Sequence, residues 1–268
     1  MRKTTTDIKS RKGGTEPLVC LTAYSAPMAK ILDKHCDLLL VGDSIGMALY
    51  GMENTLGVTL DIMINHGKAV MRETKNACVI IDMPFGTYEK NAETAYQNAL
   101  RVITETGCDG VKLEGGRDIA STIAYLTERN IPVMGHIGLQ PQSVLKDGGY
   151  KVKGKTNEEV SKLLDDAKAV EEAGAFSIVI EGTIESVAAN ITRSINIPTI
   201  GIGASSACDG QILVTEDMLG LTTDHTAKFV KKFANLAQDI GKAASHYASE
   251  VKSRDFPSEE HTYQTKVK

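Results

Sequence analysis

Eight short, β-rich apolar runs separated by stretches of helical periodicity constrain this chain more than any other feature. They are Leu18–Leu21, Leu38–Val41, Cys78–Ile81, Gly110–Leu113, Pro132–Met134, Ser177–Ile180, Thr199–Ile202 and Gln211–Val214. The runs are mostly apolar throughout rather than alternating, as strands are when helices cover one face and a packed interior the other. Eight β/α units in about 250 residues predict an α/β fold, a closed (β/α)8 TIM barrel of parallel strands. ETGCDG before the fourth run and EEAGAF before the sixth repeat one device, a helix, a small-residue stop and a strand, with Gly107 and Gly174 as helix C-caps. The best-marked helix begins at Thr156, where Thr156 and Glu159 make a capping-box pattern ahead of SKLLDDAKAVEEA. Ile137–Lys155 has turn formers, lysines and little periodicity, and is expected to be a long loop above the fifth strand. Compact domains usually keep such loops for function or motion.

The length of 268 residues fits one such domain, expected to span 1–268 with an N-terminal helical extension and a polar tail from residue 254. Thirty Lys+Arg against 34 Asp+Glu give a net charge of −4, which argues against nucleic-acid binding through bulk positive charge. Five cysteines occur with no CxxC spacing, so reduced, mostly buried thiols are expected rather than a zinc or disulfide framework. The N-terminal MRKTTTDIKSRKGG is basic but no apolar stretch follows it, so neither a signal peptide nor a membrane span is expected and the location expected is cytoplasmic.

In a parallel barrel the active site gathers at the C-terminal ends of the strands. Those ends read VGDS, IDMP, KLEGG, GHIG, IEG and GIGA, which brings Asp43, Asp82, Glu114, His136 and Glu181 to one mouth. Four carboxylates from four strands repel one another in a partly dry cleft unless a cation balances some of them. The expectation is a metal, and an oxygen-only donor set selects Mg²⁺. Lys112, two residues before Glu114, places an ammonium beside that metal, suited to an anionic substrate, and the fourth carboxylate is free to act as a base. Taken singly each residue has a plainer role: Asp43 or Asp82 as a helix cap or turn former, Glu114 or Glu181 in a rim salt bridge, His136 as a hydrogen-bonded core histidine. Recurrence at four strand ends favours the site.

Two further signals carry less. GYKVKGKT at Gly149–Thr156 matches GxxxxGK[ST], but a phosphate loop must follow a buried strand directly and QPQSVLKDG is no strand. GIGASS at Gly201–Ser206 stands where barrels often bind phosphate, and tight turning explains its small residues equally well.

Motifs along nearly the whole chain resemble the ketopantoate hydroxymethyltransferase family: LTAY at Leu21, VGDSIGM at Val41, DMPFGTYE at Asp82, VKLEGG at Val111, MGHIGLQPQS at Met134, GGYKVKGKT at Gly148, IPTIGIGA at Ile197, CDGQILV at Cys208 and FPSEEHTY at Phe256. The resemblance implies a barrel of the phosphoenolpyruvate-binding type and transfer of a hydroxymethyl group from 5,10-methylenetetrahydrofolate to 3-methyl-2-oxobutanoate. That reaction gives 2-dehydropantoate on the way to pantothenate and coenzyme A. It implies Mg²⁺ held by Asp43, Asp82 and Glu114, keto-acid contacts from Asp43, Ser44, Asp82, Lys112 and His136, Glu181 as the proton acceptor, and a homodecamer. Departures from the usual pattern are Ser25 where LTAYD has its acid, Ser205 where GIGAG has its last glycine, Glu181-Gly182-Thr183-Ile184 where ECVP often stands, and LTTDHTAKFVKKF after DMLG in place of a Phe-rich turn. Lyases and phosphonomutases on similar barrels are the nearest rivals, and their KKCG-type loop does not occur here.

Overall fold

The computed structural model describes residues 2–223 and 226–264. The chain divides into two compact units, Met1–Thr215 and Glu216–Lys268. In the first, eight strands close into an all-parallel barrel in sequence order: β1 (Leu18–Thr22), β2 (Leu38–Val41), β3 (Cys78–Asp82), β4 (Gly110–Glu114), β5 (Val133–Gly138), β6 (Ser177–Glu181), β7 (Thr199–Ile202) and β8 (Gly210–Leu213). The eight runs expected from the sequence are these eight strands. Only the fifth differs much, continuing to Gly138 because MGHIG pairs with β6 along its whole length, as far as Gly138 opposite Glu181.

The helices in chain order are α1 (Thr5–Lys9), α2 (Ala26–Leu32), α3 (Ile45–Ala48), α4 (Leu60–Glu73), α5 (Ala92–Thr106), α6 (Ala120–Thr127), α7 (Val144–Asp147), α8 (Asn157–Glu172), α9 (Glu185–Ser194), α10 (Thr215–Met218) and α11 (Leu236–Ser253). Gly107 ends α5 with φ +73°, a conformation costly for any residue with a Cβ. Thr156 caps α8 by accepting from Glu159 N–H, but the Glu159 carboxylate takes the N–H of Lys155 rather than that of Thr156, so the capping box is half made. The Ile137–Lys155 segment supplies the end of β5 and then a 3-10 turn at Pro141–Ser143 and α7.

Alternation along each strand creates two apolar clusters. Leu39, Val41, Val79, Ile81, Val111, Leu113, Val133, Ile178 and Ile180 point outward into the layer between sheet and helices. Leu18, Cys20, Leu38, Leu40, Cys78, Ile80, Met134, Val179, Ile200 and Ile212 fill the barrel itself. The five cysteines are free and buried. Ile8 of α1 joins the inner cluster, so the N-terminal extension plugs the barrel floor. Its cations tie that plug to aspartates lying just before even-numbered strands: Arg2 to Asp109 (3.0 Å), Lys3 to Asp37 (3.5 Å) and Lys12 to Asp209 (3.0 Å).

Asp33, at the end of α2, is a buried carboxylate that accepts the backbone N–H groups of Lys75, Asn76 and Ala77, each at 2.9 Å, fixing the approach to β3. Burial alone raises its pKa, but those N–H groups and the Asn76 amide outweigh it and hold the group below the usual carboxylate range. Asp33→Ala leaves these donors unpaired, and is expected to lower stability on the order of 3 kcal/mol in urea unfolding. Because the folded-state pKa is depressed, the Asp33 contribution is present above the unfolded value of about 3.9 and lost as pH falls through the folded one. A loss under about 0.5 kcal/mol contradicts the assignment.

In the second unit α11 ends at Arg254 in the left-handed conformation (φ +66°). The residues after it return to the helix, with the Phe256 ring edge-on to Tyr247 at 5.5 Å. Residues 265–268 of the expected tail lie outside the described residues. Among the described residues no helix is long and apolar enough to cross a membrane.

Candidate active site

The inward rows that build the barrel core turn polar at its C-terminal end. Asp82 continues the row of Cys78 and Ile80, Lys112 and Glu114 share one face of β4, His136 follows Met134, and Glu181 follows Val179. Strand register sets Asp82 beside Lys112 and Glu114 beside His136. Asp43 arrives from the turn after β2, where its N–H donates to Asp82 Oδ2 at 3.0 Å. Gly42 leaves this turn uncrowded: a Cβ there falls 2.8 Å from Ser44 Oγ, so a larger residue displaces the Ser44 hydroxyl. The five residues expected at one mouth are therefore brought together, with Lys112 among them.

Lys112 is buried, its Nζ 3.2 Å from Asp82 Oδ1, 3.9 Å from Glu114 Oε1 and 3.0 Å from His136 Nδ1. Burial disfavours its charge, but Asp82, Glu114 and Asp43 outweigh that and raise its pKa, so the ammonium persists. Glu114 is likewise opposed by burial and lowered by His136 and Lys112. Burial raises Asp82 against the pull of Lys112. Asp43 is raised furthest, by burial and then by the charges of Asp82 and Glu114. His136 feels burial and Lys112 as lowering influences, outweighed by Glu114 and Glu181, which push it up to about 9. The 3.0 Å approach of Lys112 to Nδ1 instead suits a neutral ring accepting there. Both descriptions keep a hydrogen on Nε2, which lies 3.4 Å from Glu181 Oε2, outside good hydrogen-bond geometry.

The charge argument for a cation is therefore met in part by Lys112 and His136. What still points to a metal is the donor set. Asp82 Oδ1 and Glu114 Oε1 are buried oxygens whose neighbours are the side-chain cations alone, Lys112 for the first and Lys112 with His136 for the second. Among the described residues no three His, Cys, Asp or Glu side chains converge in ligating geometry. Magnesium, by comparison, takes one or two carboxylates and fills its remaining positions with water and substrate oxygens.

Two residues that the sequence reading did not single out complete the cluster. Gln142, on the 3-10 turn after β5, donates from Nε2 to Asp43 Oδ2 at 2.8 Å and from its backbone N–H to Glu114 Oε2 at 3.0 Å. Tyr88 donates to Gln142 Oε1 at 2.6 Å. Ser44 Oγ lies 2.8 Å from the Tyr24 hydroxyl at the edge of the site. The unusual residues are absorbed locally. Ser25 is the N-cap of α2, a position where aspartate serves as well, and Ser205 donates to Glu185 at 2.7 Å. A groove of about 1010 Å³ runs along the other side of the same loop, lined by Gln140, Ser143 and the start of α8, and the clustered carboxylates do not line it. Its Arg117, Lys153 and Lys162 are paired with Asp165, Asp147 and Asp166.

The profile of the ketopantoate hydroxymethyltransferase family matches residues 2–259. The 3-methyl-2-oxobutanoate hydroxymethyltransferase of Rhizobium rhizogenes is 59% identical over 99% of this chain and 97% of its own length. That of Brucella suis is 59% identical over 97% and 94%. Among solved structures, 2,3-dimethylmalate lyase superposes with a TM-score of 0.61 at 15% identity, covering 98% of this chain and 89% of that one. Phosphonopyruvate hydrolase in complex with oxalate and Mg++ gives 0.61 at 12% identity, covering 97% and 93%. These two likenesses are of fold alone.

Proposed function

The chain belongs to the ketopantoate hydroxymethyltransferase family, and from that membership we propose that it joins the one-carbon unit of 5,10-methylenetetrahydrofolate to 3-methyl-2-oxobutanoate at the mouth described above. The observation that carries the site assignment is the inward polar row: Lys112, Glu114 and His136 in mutual contact, with Glu181 3.4 Å from His136 Nε2. In this reading Asp43, Asp82 and Glu114 hold Mg²⁺, directly or through water. Bound there, the ion supplies Lewis-acid polarisation of the keto oxygen, which acidifies the neighbouring branched carbon.

The chain's own residues do the rest. Lys112 fixes the negative charge of the keto acid, and Ser44, steadied by Tyr24, offers a hydroxyl to its oxygens. Glu181 accepts the proton from the branched carbon. His136 holds its Nε2 hydrogen toward Glu181, orienting one carboxylate oxygen and leaving the other for the substrate. The electron pair released at carbon forms the new C–C bond to the methylene carbon of the folate, whose two C–N bonds break. Water supplies the hydroxyl on that carbon, and one proton from water with the one held by Glu181 goes to the two nitrogens, giving the hydroxymethyl product and tetrahydrofolate. Lining the barrel interior with Leu40, Ile80, Met134 and Val179 closes the floor of the site to water.

Asp82→Ala is expected to weaken Mg²⁺ binding at least about 10-fold and to lower activity with it, read by calorimetric titration. An unchanged titration removes Asp82 from the metal set. The reading also includes a cytoplasmic homodecamer, for which light scattering is expected to give about 290 kDa from ten chains of 28.8 kDa. A mass of one or two chains contradicts it.

A further inference from the structure

Gln142 is uncharged, lies outside the strands, and still touches two of the three carboxylates. Its Nε2 donates to Asp43 Oδ2 at 2.8 Å and to the Met83 carbonyl at 3.0 Å, while its Oε1 accepts from the Tyr88 hydroxyl at 2.6 Å. Both amide hydrogens are thus placed on acceptors and the amide oxygen faces a donor. Tyr88 fixes which way round the amide stands. The Tyr88 hydroxyl accepts the Glu114 N–H at 3.2 Å, and of the two acceptors for its single hydrogen, the Glu114 carbonyl at 3.1 Å and Gln142 Oε1 at 2.6 Å, the shorter contact is to Gln142. A flipped amide sets its oxygen against the Asp43 carboxylate and the Met83 carbonyl, two acceptors, and its NH₂ group against the hydrogen of Tyr88.

The three carboxylates share a pattern. Each is held by one oxygen: Asp82 Oδ2 by the Asp43 N–H, Glu114 Oε2 by the Gln142 N–H, and Asp43 Oδ2 by the Gln142 side chain. On Asp82 and Glu114 the other oxygen is buried and meets a cation rather than a backbone donor: Asp82 Oδ1 lies 3.2 Å from Lys112 Nζ, and Glu114 Oε1 lies 3.4 Å from His136 Nδ1 and 3.9 Å from Lys112 Nζ. An arrangement that anchors one oxygen by a hydrogen bond and leaves its twin facing only side-chain cations keeps that twin within reach of a ligand. Gln142 anchors two of the three from one residue, by backbone to Glu114 and by side chain to Asp43.

We propose that Gln142, oriented by Tyr88, is a positioning residue that presents Asp43 and Glu114 to the metal and the keto acid. This rests on the reading of those carboxylates as the metal and substrate site. It also gives the β5–α8 loop a definite role: Gln142 couples the loop to the carboxylates, so loop placement and ligand geometry are set together. Gly138, at φ +92° with its Cβ position 2.2 Å from the Glu181 carbonyl, fixes where that loop departs from β5.

The test uses Mn²⁺ as the probe, followed by electron paramagnetic resonance of the free ion, on the full chain. The proteins are the unaltered chain, Gln142→Met, Tyr88→Phe, both together, and Asp82→Ala as a control, with thermal melting recorded for each. Gln142→Met keeps the volume and the backbone N–H but removes the amide. It is expected to weaken Mn²⁺ binding roughly 10- to 100-fold and to raise the keto-acid KM at nearly unchanged melting temperature, which a purely structural role does not do. Tyr88→Phe is expected to weaken binding about 3- to 10-fold, and the double variant to stand close to Gln142→Met alone, because Tyr88 acts through the amide. Binding within twofold of the unaltered chain in Gln142→Met, while Asp82→Ala loses Mn²⁺, overturns the positioning role and leaves the metal reading intact. If Gln142→Met does not fold, the same twofold limit applied to Tyr88→Phe decides. Failure of the unaltered chain to bind Mn²⁺ overturns the metal reading and this inference with it.

Discussion

Glu181→Gln is expected to lower kcat by roughly 10² to 10⁴ while keto-acid and Mg²⁺ binding stay within a few-fold of normal. The substitution keeps the shape of the side chain and removes its capacity to take a proton. Glu181 stands apart from the other carboxylates in this respect. It ends β6 with its side chain 17% exposed, facing His136, whereas Asp82 and Glu114 are enclosed and engaged with Lys112. A base must reach the substrate, and of the inward carboxylates Glu181 is the most open to the mouth. His136 Nε2 stands 3.4 Å from its Oε2, so His136→Ala belongs with the same steady-state comparison. Turnover near normal in Glu181→Gln moves the base to another residue.

Lys112→Met is expected to destabilise the metal-free protein by about 3–5 kcal/mol, because it removes one partner from buried ion pairs and leaves the others uncompensated. Asp82 Oδ1 at 3.2 Å and Glu114 Oε1 at 3.9 Å both face the Lys112 ammonium. Methionine fills the volume of the lysine stem, so the loss measured in urea unfolding, with a chelator present, reports charge rather than packing. Keto-acid affinity is expected to fall alongside. A stability change under about 1 kcal/mol contradicts the role of Lys112 as the counter-charge of the cluster.

These two residues were legible in the sequence because a strand has period two. Lys112 and Glu114 are two apart on β4, and Asp82, His136 and Glu181 each extend an apolar row that must face the barrel interior. Once eight strands are recognised, the position of each of these side chains follows without tertiary information. Gln142 was not legible for the complementary reason. It sits in a stretch with no periodicity, and its partners Asp43, Met83 and Tyr88 lie 99, 59 and 54 residues away, so nothing local marks it. Tyr88 likewise lies in the irregular stretch between β3 and α5, and its hydroxyl meets Glu114 only after the barrel closes.

The electrostatic reading from sequence was incomplete in a specific way. Counting carboxylates at the strand ends demanded a cation, and the structure places Lys112 and His136 among them, which supplies part of the balance from the chain itself. The support for a metal thereby shifts from net charge to the chemistry of the oxygen donor set that Asp43, Asp82 and Glu114 present together. The end of β5 was misjudged because Gly135 and Gly138 interrupt an apolar run, while pairing with β6 carries the strand through them. The basic N-terminus was read only as a helical extension, and nothing local showed that its Ile8 completes the barrel floor.

The central claim is that Glu181 removes the proton from the branched carbon of 3-methyl-2-oxobutanoate. Nuclear magnetic resonance in heavy water, with Mg²⁺ present and folate omitted, follows that proton directly. The account predicts its steady loss with the unaltered chain and loss slowed at least about 10²-fold with Glu181→Gln. Equal exchange by the two proteins, or none by the unaltered chain, contradicts it.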